Sequence, residues 1–256
     1  MTRPEDIASD MSSTLKDWQE AGNGIAPVRD TVHILRADLV RDDIASARAL
    51  LSPDEQARAD RFVFEKDQRR FIVARAALRE LLAACLDTDP THIQFQYGEH
   101  GKPELFLPAT DLTFNLSHAG DIALYALARN RRIGIDVEAL DAGKEPDRVA
   151  ARFFTQGERE ALQGKSGPSR QAAFVTFWTR KEAYLKACGK GLFASPESFE
   201  TTLEQPPRIL SVGGDSGAGA AWTLLDFIPR GDYAAALVAE GNVEQVAFYE
   251  WRPVGR

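Results

Sequence analysis

Long apolar runs are missing from this chain. No stretch of about 18 consecutive apolar residues occurs, so no membrane-spanning helix is expected. From Met1 to Gly24 the residues are polar and mixed in charge, without the apolar centre of a secretory leader. Cysteine is scarce too. The two that occur, Cys85 and Cys188, fall in helical patterns and are too few for a disulfide framework, which points to a reducing cytoplasm. Positive charge is in deficit: 31 Lys and Arg against 38 Asp and Glu leave a net charge of −7. That balance argues against nucleic acid or an anionic membrane as a broad partner, while leaving room for a local basic pocket. What remains, 256 residues with 44% hydrophobic and 27% charged, is an ordinary globular composition. It suffices for one large domain or two small ones.

One short stretch organises the rest. In Arg131-Arg-Ile-Gly-Ile-Asp-Val-Glu138, Ile133, Ile135 and Val137 alternate with Gly134, Asp136 and Glu138, the period of a β-strand. Asp136 and Glu138 then share one face, roughly 7 Å apart along the backbone. Two carboxylates so placed repel unless a cation or donor lies between them, and the aliphatic face must be buried. The arrangement suits a hard cation such as Mg²⁺. An edge strand with a solvated acidic face explains the stretch equally well.

Taken in order, residues 1–30 form an extension with a short helix near Ser13–Glu20 and little other pattern. A strand is expected at 31–39 and a helix at 42–51. Ser52-Pro-Asp-Glu55 then starts another helix, with an N-cap Ser, Pro at the first position and acids in the first turn. Residues 67–85 form a long amphipathic helix, apolar on the Phe71, Leu78 and Leu82 side and carrying Arg69, Arg70, Arg75 and Arg79 on the other. Strands follow at 93–97, 112–117 and 122–128, with Gly98–Pro103 a polar loop. The second half repeats this order. Arg152-Phe-Phe-Thr155 echoes Arg61-Phe-Val-Phe64, and the helix 169–188 echoes 67–85. Strands at 198–203, 221–227, 233–239 and 243–251 echo those at 93–128. An internal duplication of about 110 residues is expected, with the acidic strand opening the second copy. The expected units are 31–131 and 132–256.

On the helix 174–188, Phe174, Trp178, Leu185 and Cys188 make a buried stripe, and Glu182 falls on or beside it. A carboxylate there needs a partner. Lys186, four residues on, supplies one by simple pairing. A metal shared with Asp136 and Glu138 supplies another, and Lys181, Lys186 and Lys190 nearby would suit a polyphosphate. Ser117 and His118 close a strand. With Gly101-Lys-Pro103 and the arginine face of helix 67–85 they outline an anion pocket in an acidic protein.

The set Gly101-Lys-Pro103, Phe114-Asn-Leu-Ser-His118, Ile133-Gly-Ile-Asp-Val-Glu138 and Trp178-Thr-Arg-Lys-Glu-Ala-Tyr-Leu-Lys186 resembles the 4′-phosphopantetheinyl transferases of the Sfp type, over residues 31–251. The resemblance implies an α+β pseudo-dimer of two similar halves with the active site in the cleft between them. It implies transfer of the phosphopantetheine arm of coenzyme A (CoA) to a serine of an apo acyl or peptidyl carrier protein, releasing adenosine 3′,5′-bisphosphate. Asp136, Glu138 and Glu182 would hold Mg²⁺, with Glu182 also deprotonating the carrier serine. Lys186 would bind the pyrophosphate and assist the leaving group, with Lys181 nearby. Lys102 and Pro103 would hold the adenine side, and Ser117, His118 and Arg58 the phosphates. Glu158 matches a further acidic position. Glu55 stands where some relatives have a lysine for the 3′-phosphate, so Arg58, or Arg70 and Arg75, would take that contact. The segment reading the carrier would lie within about 141–170. An internally doubled chain can build this site as a monomer in the cytoplasm. Two other classes remain on the residues alone, a metal-dependent nuclease and a CoA-binding regulator. The net charge of −7 speaks against the first, and the full carboxylate set against the second.

Overall fold

The structure, a computed structural model, describes residues 17–21, 25, 27–28, 30–141, 146–189 and 196–252. Half of the expected helix near 13–20 lies outside them, and residues 17–20 are not helical. Gln19–Glu20 form β1, paired in parallel with the last strand of the chain. Lys190 also lies outside.

The first unit runs β2 (Thr31–Asp38), α1 (Ile44–Ala49), α2 (Pro53–Ala59), α3 (Glu65–Leu86), β3 (Gln94–Tyr97), β4 (Pro103–Leu107), β5 (Leu112–Ala119) and β6 (Ile122–Arg129). The second runs β7 (Ile133–Ala139), α4 (Pro146–Phe153), α5 (Gln156–Gln163), α6 (Gly167–Cys188), β8 (Phe199–Thr201), β9 (Ile209–Val212), β10 (Trp222–Phe227) and β11 (Tyr233–Glu240). Each unit is thus a strand, short helices, one long helix, a small hairpin and two more strands. The pairing repeats as well: β2-β6-β5 in one sheet and β7-β11-β10 in the other, antiparallel throughout. A final strand, β12 (Gln245–Glu250), crosses back and pairs in parallel with β2. The first sheet thus takes strands from both sides of residue 131, with β1 and β12 beyond β2.

Alternation in the central strands sets the layers. On β6, Ala123, Tyr125 and Leu127 face the core under α3, with Leu78, Leu81 and Leu82. Its even residues, Ile122, Leu124 and Ala126, face the second sheet and meet Ile133, Ile135, Val137 and Leu237. On β11, Ala236 and Val238 turn the other way, against Ala183, Tyr184 and Leu185 of α6. The result is helix, sheet, sheet, helix, with both central strands buried on two faces. The aliphatic face read from β7 is at the middle of this stack: Ile133, Ile135 and Val137 are each at most 1% exposed.

Two local starts obey their sequence signals. Glu55 accepts the Ser52 N–H at 3.1 Å to begin α2. Thr155 and Glu158 make the reciprocal box that begins α5. Strand β4 was not expected: its first residue, Pro103, falls in the expected loop, and its side chains are largely exposed. Among the described residues no helix is long and apolar enough to cross a membrane.

Candidate active site

Strand β7 ends its sheet, so one edge carries no partner strand. Side chains from elsewhere fill that edge. Thr113 donates its hydroxyl to the Arg131 carbonyl at 2.8 Å, Lys102 its amine to the Ile133 carbonyl at 3.1 Å, and Asn115 accepts the Ile135 N–H at 2.8 Å. Lys186 reaches the Ile135 carbonyl at 3.2 Å. Thr113, Asn115 and Ser117 alternate along β5, with Phe114 buried in the opposite core, so one polar face of β5 closes the joint between the two units.

The acidic face of β7 lies under α6. A Cβ built on Gly134 would come within 2.0 Å of the Ala183 carbonyl oxygen and 2.4 Å of the Ala187 nitrogen, so only glycine lets the helix approach this closely. Trp178, Glu182 and Lys186 recur every four residues and share the helix face turned to the strand. Trp178 donates its indole N–H to Glu138 Oε1 at 2.9 Å. Lys186 Nζ lies 2.7 Å from Asp136 Oδ1, and Glu182 sits midway between these two contacts along the helix. Ser117 completes the cluster: its hydroxyl donates to Asp136 Oδ1 at 2.9 Å and accepts from Lys186 at 2.9 Å. Three acceptors therefore lie within hydrogen-bond distance of the Lys186 ammonium.

Asp136 is 4% exposed and its pKa is raised, mainly by burial and further by Glu138, against the opposing pull of Lys186 and Ser117. Its other oxygen, Oδ2, is buried without a hydrogen-bond partner. Among the described residues no three His, Cys, Asp or Glu side chains are gathered as a finished metal centre. Asp136, Glu138 and Glu182 thus do not close around a point; Lys186 and Trp178 occupy one oxygen each of the two strand carboxylates. The orphaned Oδ2, with Glu138 on the same face, fits a hard cation with further ligands from water or substrate.

Beside this cluster opens a cavity of about 430 Å³, and Arg58, Pro103, Ser117, His118 and Lys186 all line it, with Gly101, Phe62, Phe71 and Arg75. His118 stands at its exposed side. The enclosing groups lower its pKa by desolvation first, and the Lys186, Arg70 and Arg58 charges add to the effect. Arg75 is fixed from behind, by Glu55 at 3.2 Å and by the Tyr97 hydroxyl at 2.8 Å. Glu55 is 1% exposed and also pairs with buried Arg79 at 2.7 Å. It has become an internal counter-charge that presents Arg75 to the cavity. Arg70, by contrast, is turned to Asp121 at 2.7 Å and does not line the cavity.

Two lysines stand apart from their expected places. Lys181 is 1% exposed and is held by Glu158 at 2.8 Å and by the Phe199 carbonyl at 2.8 Å. Burial lowers its pKa and Glu158 opposes that shift. Glu158 also accepts the Thr201 N–H at 3.0 Å, so the pair ties α5 and β8 to α6 on the side away from the cavity. Lys102 lines a second cavity, of about 460 Å³, and its amine is bound to main-chain carbonyls rather than directed into the first. Asn115 and the indole of Trp178 were missed as site groups. The polar alternation 113, 115, 117 was the available signal for the first; Trp178 reads as core by spacing alone.

Known proteins resemble this chain over most of its length. The family model for the 4′-phosphopantetheinyl transferase superfamily matches residues 132–238, and that for the 4′-phosphopantetheinyl transferase N-terminal region matches 39–130. The 4′-phosphopantetheinyl transferase HetI of Nostoc sp. is 35% identical over 240 residues, covering 91% of this chain and 98% of that protein. A 4′-phosphopantetheinyl transferase of Bacillus subtilis is 32% identical over 63% of this chain and 70% of its own length. Among solved structures, a holo-(acyl-carrier-protein) synthase from Bacillus anthracis aligns with 43% of this chain and 95% of its own, at 25% identity and a TM-score of 0.36. With two consecutive family matches and a relative similar over nearly its whole length, the chain belongs to the 4′-phosphopantetheinyl transferases, enzymes that move phosphopantetheine from CoA to a carrier protein.

Proposed function

We propose that transfer takes place where the 430 Å³ cavity meets the β7–α6 cluster. The observation that carries this reading is Lys186, which lines the cavity and at the same time holds Asp136. In this reading CoA lies with its 3′-phosphate among Arg58, Arg75 and His118 and its adenine along Gly101 and Pro103. The pyrophosphate then points to Lys186 and the carboxylates. Asp136 Oδ2, Glu138 and Glu182 would hold Mg²⁺, which supplies charge neutralisation at the pyrophosphate when bound. Glu182, between the two fixed contacts of α6, takes the proton of the carrier serine. The serine oxygen then forms its bond to the β-phosphorus as the bridging P–O bond to adenosine 3′,5′-bisphosphate breaks. Lys186 stabilises the charge that develops on that leaving oxygen.

Both units supply walls of the site, which supports a monomer as the working form. Cys85 and Cys188 are both unpaired, in keeping with a reducing cytoplasm. Incubation with CoA, Mg²⁺ and an apo carrier protein, followed by intact mass, tests the assignment. The carrier should gain one phosphopantetheine, and a chelator should prevent the gain. A carrier unchanged in mass under both conditions would overturn it.

A further inference from the structure

The Gly101-Lys-Pro103 segment does two things at once. Gly101 and Pro103 form wall of the cavity that Lys186 also lines, whereas Lys102 leaves through the back and lines the second cavity. Its amine lies 2.7 Å from the Lys186 carbonyl oxygen and 3.1 Å from that of Ile133. The Lys186 carbonyl belongs to the last turn of α6, where intrahelical partners run out and the helix dipole is negative. The Gly189 N–H also donates to it, at 3.2 Å. The Ile133 carbonyl lies on the free edge of β7, three residues before Asp136. One ammonium therefore clips the end of the helix that carries Lys186 to the strand that carries Asp136, and does so from the segment that walls the ligand cavity.

We infer that Lys102 is a positioning residue for the transfer step, tying the cavity wall of the first unit to the Lys186 end of α6 and to β7, without touching substrate. This inference rests on the function proposed above. Burial lowers the Lys102 pKa, in keeping with an amine enclosed by the joint. The Lys186 side chain starts from the clipped residue and must keep Nζ at 2.7 Å from Asp136 Oδ1, so slack in the last turn reaches the site directly. Binding groups of the first unit, Arg58, Arg75 and His118, do not depend on the clip. Loss of Lys102 should therefore slow transfer while sparing CoA recognition.

The test is Lys102→Met, which keeps the length of the stem and removes the donors. Calorimetric affinity for CoA, and the preference for CoA over dephospho-CoA, should stay within about twofold of the parent. Apo-to-holo conversion at saturating CoA should fall about tenfold to a hundredfold at a temperature where circular dichroism shows the variant folded. Lys102→Arg restores charge and donors and should recover part of the rate; it also serves where the methionine variant does not fold. A fall in CoA affinity with an unchanged saturated rate would make Lys102 a substrate contact. A lowered melting temperature with the parental rate would make it a purely structural tie. Either result overturns the inference, as would no change in rate. A parent that transfers nothing refutes the proposed function instead, whatever the variants do.

Discussion

Gly134→Ala is the most economical way to disturb this site, because it adds one methyl group and removes no functional atom. The added Cβ would stand 2.0 Å from the Ala183 carbonyl oxygen, where ordinary contact begins at 3.4 Å. The obstructing atoms are main chain on both sides, so α6 must retreat from β7 by the difference, about 1.4 Å. Lys186 Nζ would then move from 2.7 Å to about 4 Å from Asp136 Oδ1, beyond hydrogen-bond reach. Overpacking of this kind costs about 1–3 kcal/mol. In a chain of this size that lowers the melting temperature by about 2–4 °C per kcal/mol. Displacement of reacting groups by about 1 Å costs up to roughly a hundredfold in rate. Calorimetric melting and intact-mass conversion of an apo carrier, on the same sample, measure the two effects. A variant that melts and transfers like the parent would refute the close helix–strand approach.

Further expectations follow from the charges. Glu55→Gln leaves Arg75 and Arg79 buried without their shared counter-ion, and unpaired buried charges of this kind cost about 3–5 kcal/mol; a shifted urea midpoint would show it. Lys186→Met removes the ammonium from Asp136 Oδ1, leaving only the Ser117 hydroxyl on that oxygen, and should raise the affinity for Mn²⁺ about tenfold or more in the absence of CoA, read by the spectrum of the free ion; weaker binding would mean that the ammonium does not hold the cation's place. His33 is 7% exposed, its Nδ1 has no partner, and burial lowers its pKa below 6.5. The unfolded chain therefore binds this proton first, so the histidine's contribution to stability is intact above pH 6.5 and is lost as pH falls toward its lowered value. His33→Phe should flatten that part of the stability profile.

The sheets and long helices were legible because burial on one or two faces imposes its period on the sequence. Ile133, Ile135 and Val137 mark β7 by their alternation, and the repeated order of elements expected from the sequence is accompanied in the structure by a repeated pairing. What escaped was direction. Lys181 is adjacent to Glu182 in sequence, yet one residue turns a helix by about 100°, which sends its amine inward to Glu158. Lys102 shares a motif with the cavity residues Gly101 and Pro103 and points to the other side. Glu55 looked like the loss of a phosphate contact, and it is the buried support of Arg75, a relation between residues twenty positions apart. The short helices α4 and α5 were also missed: each spans only eight residues, α4 burying Ala150 alone and α5 only Glu158 and Leu162.

The central claim is that Glu182, held on the face of α6 between Trp178 and Lys186, serves the chemical step and not the binding of CoA. Glu182→Gln keeps the shape and one acceptor oxygen while removing charge and basicity. The most direct measurement is a pair on this variant: calorimetric affinity for CoA with Mg²⁺, and the rate of apo-to-holo conversion of a carrier protein. The account predicts retained CoA binding and a rate lower by about 10²–10⁴-fold, the usual cost of losing a general base, with any larger fall assigned to the metal. Transfer near the parental rate would contradict it, and would leave Glu182 as no more than the helical salt-bridge partner of Lys186.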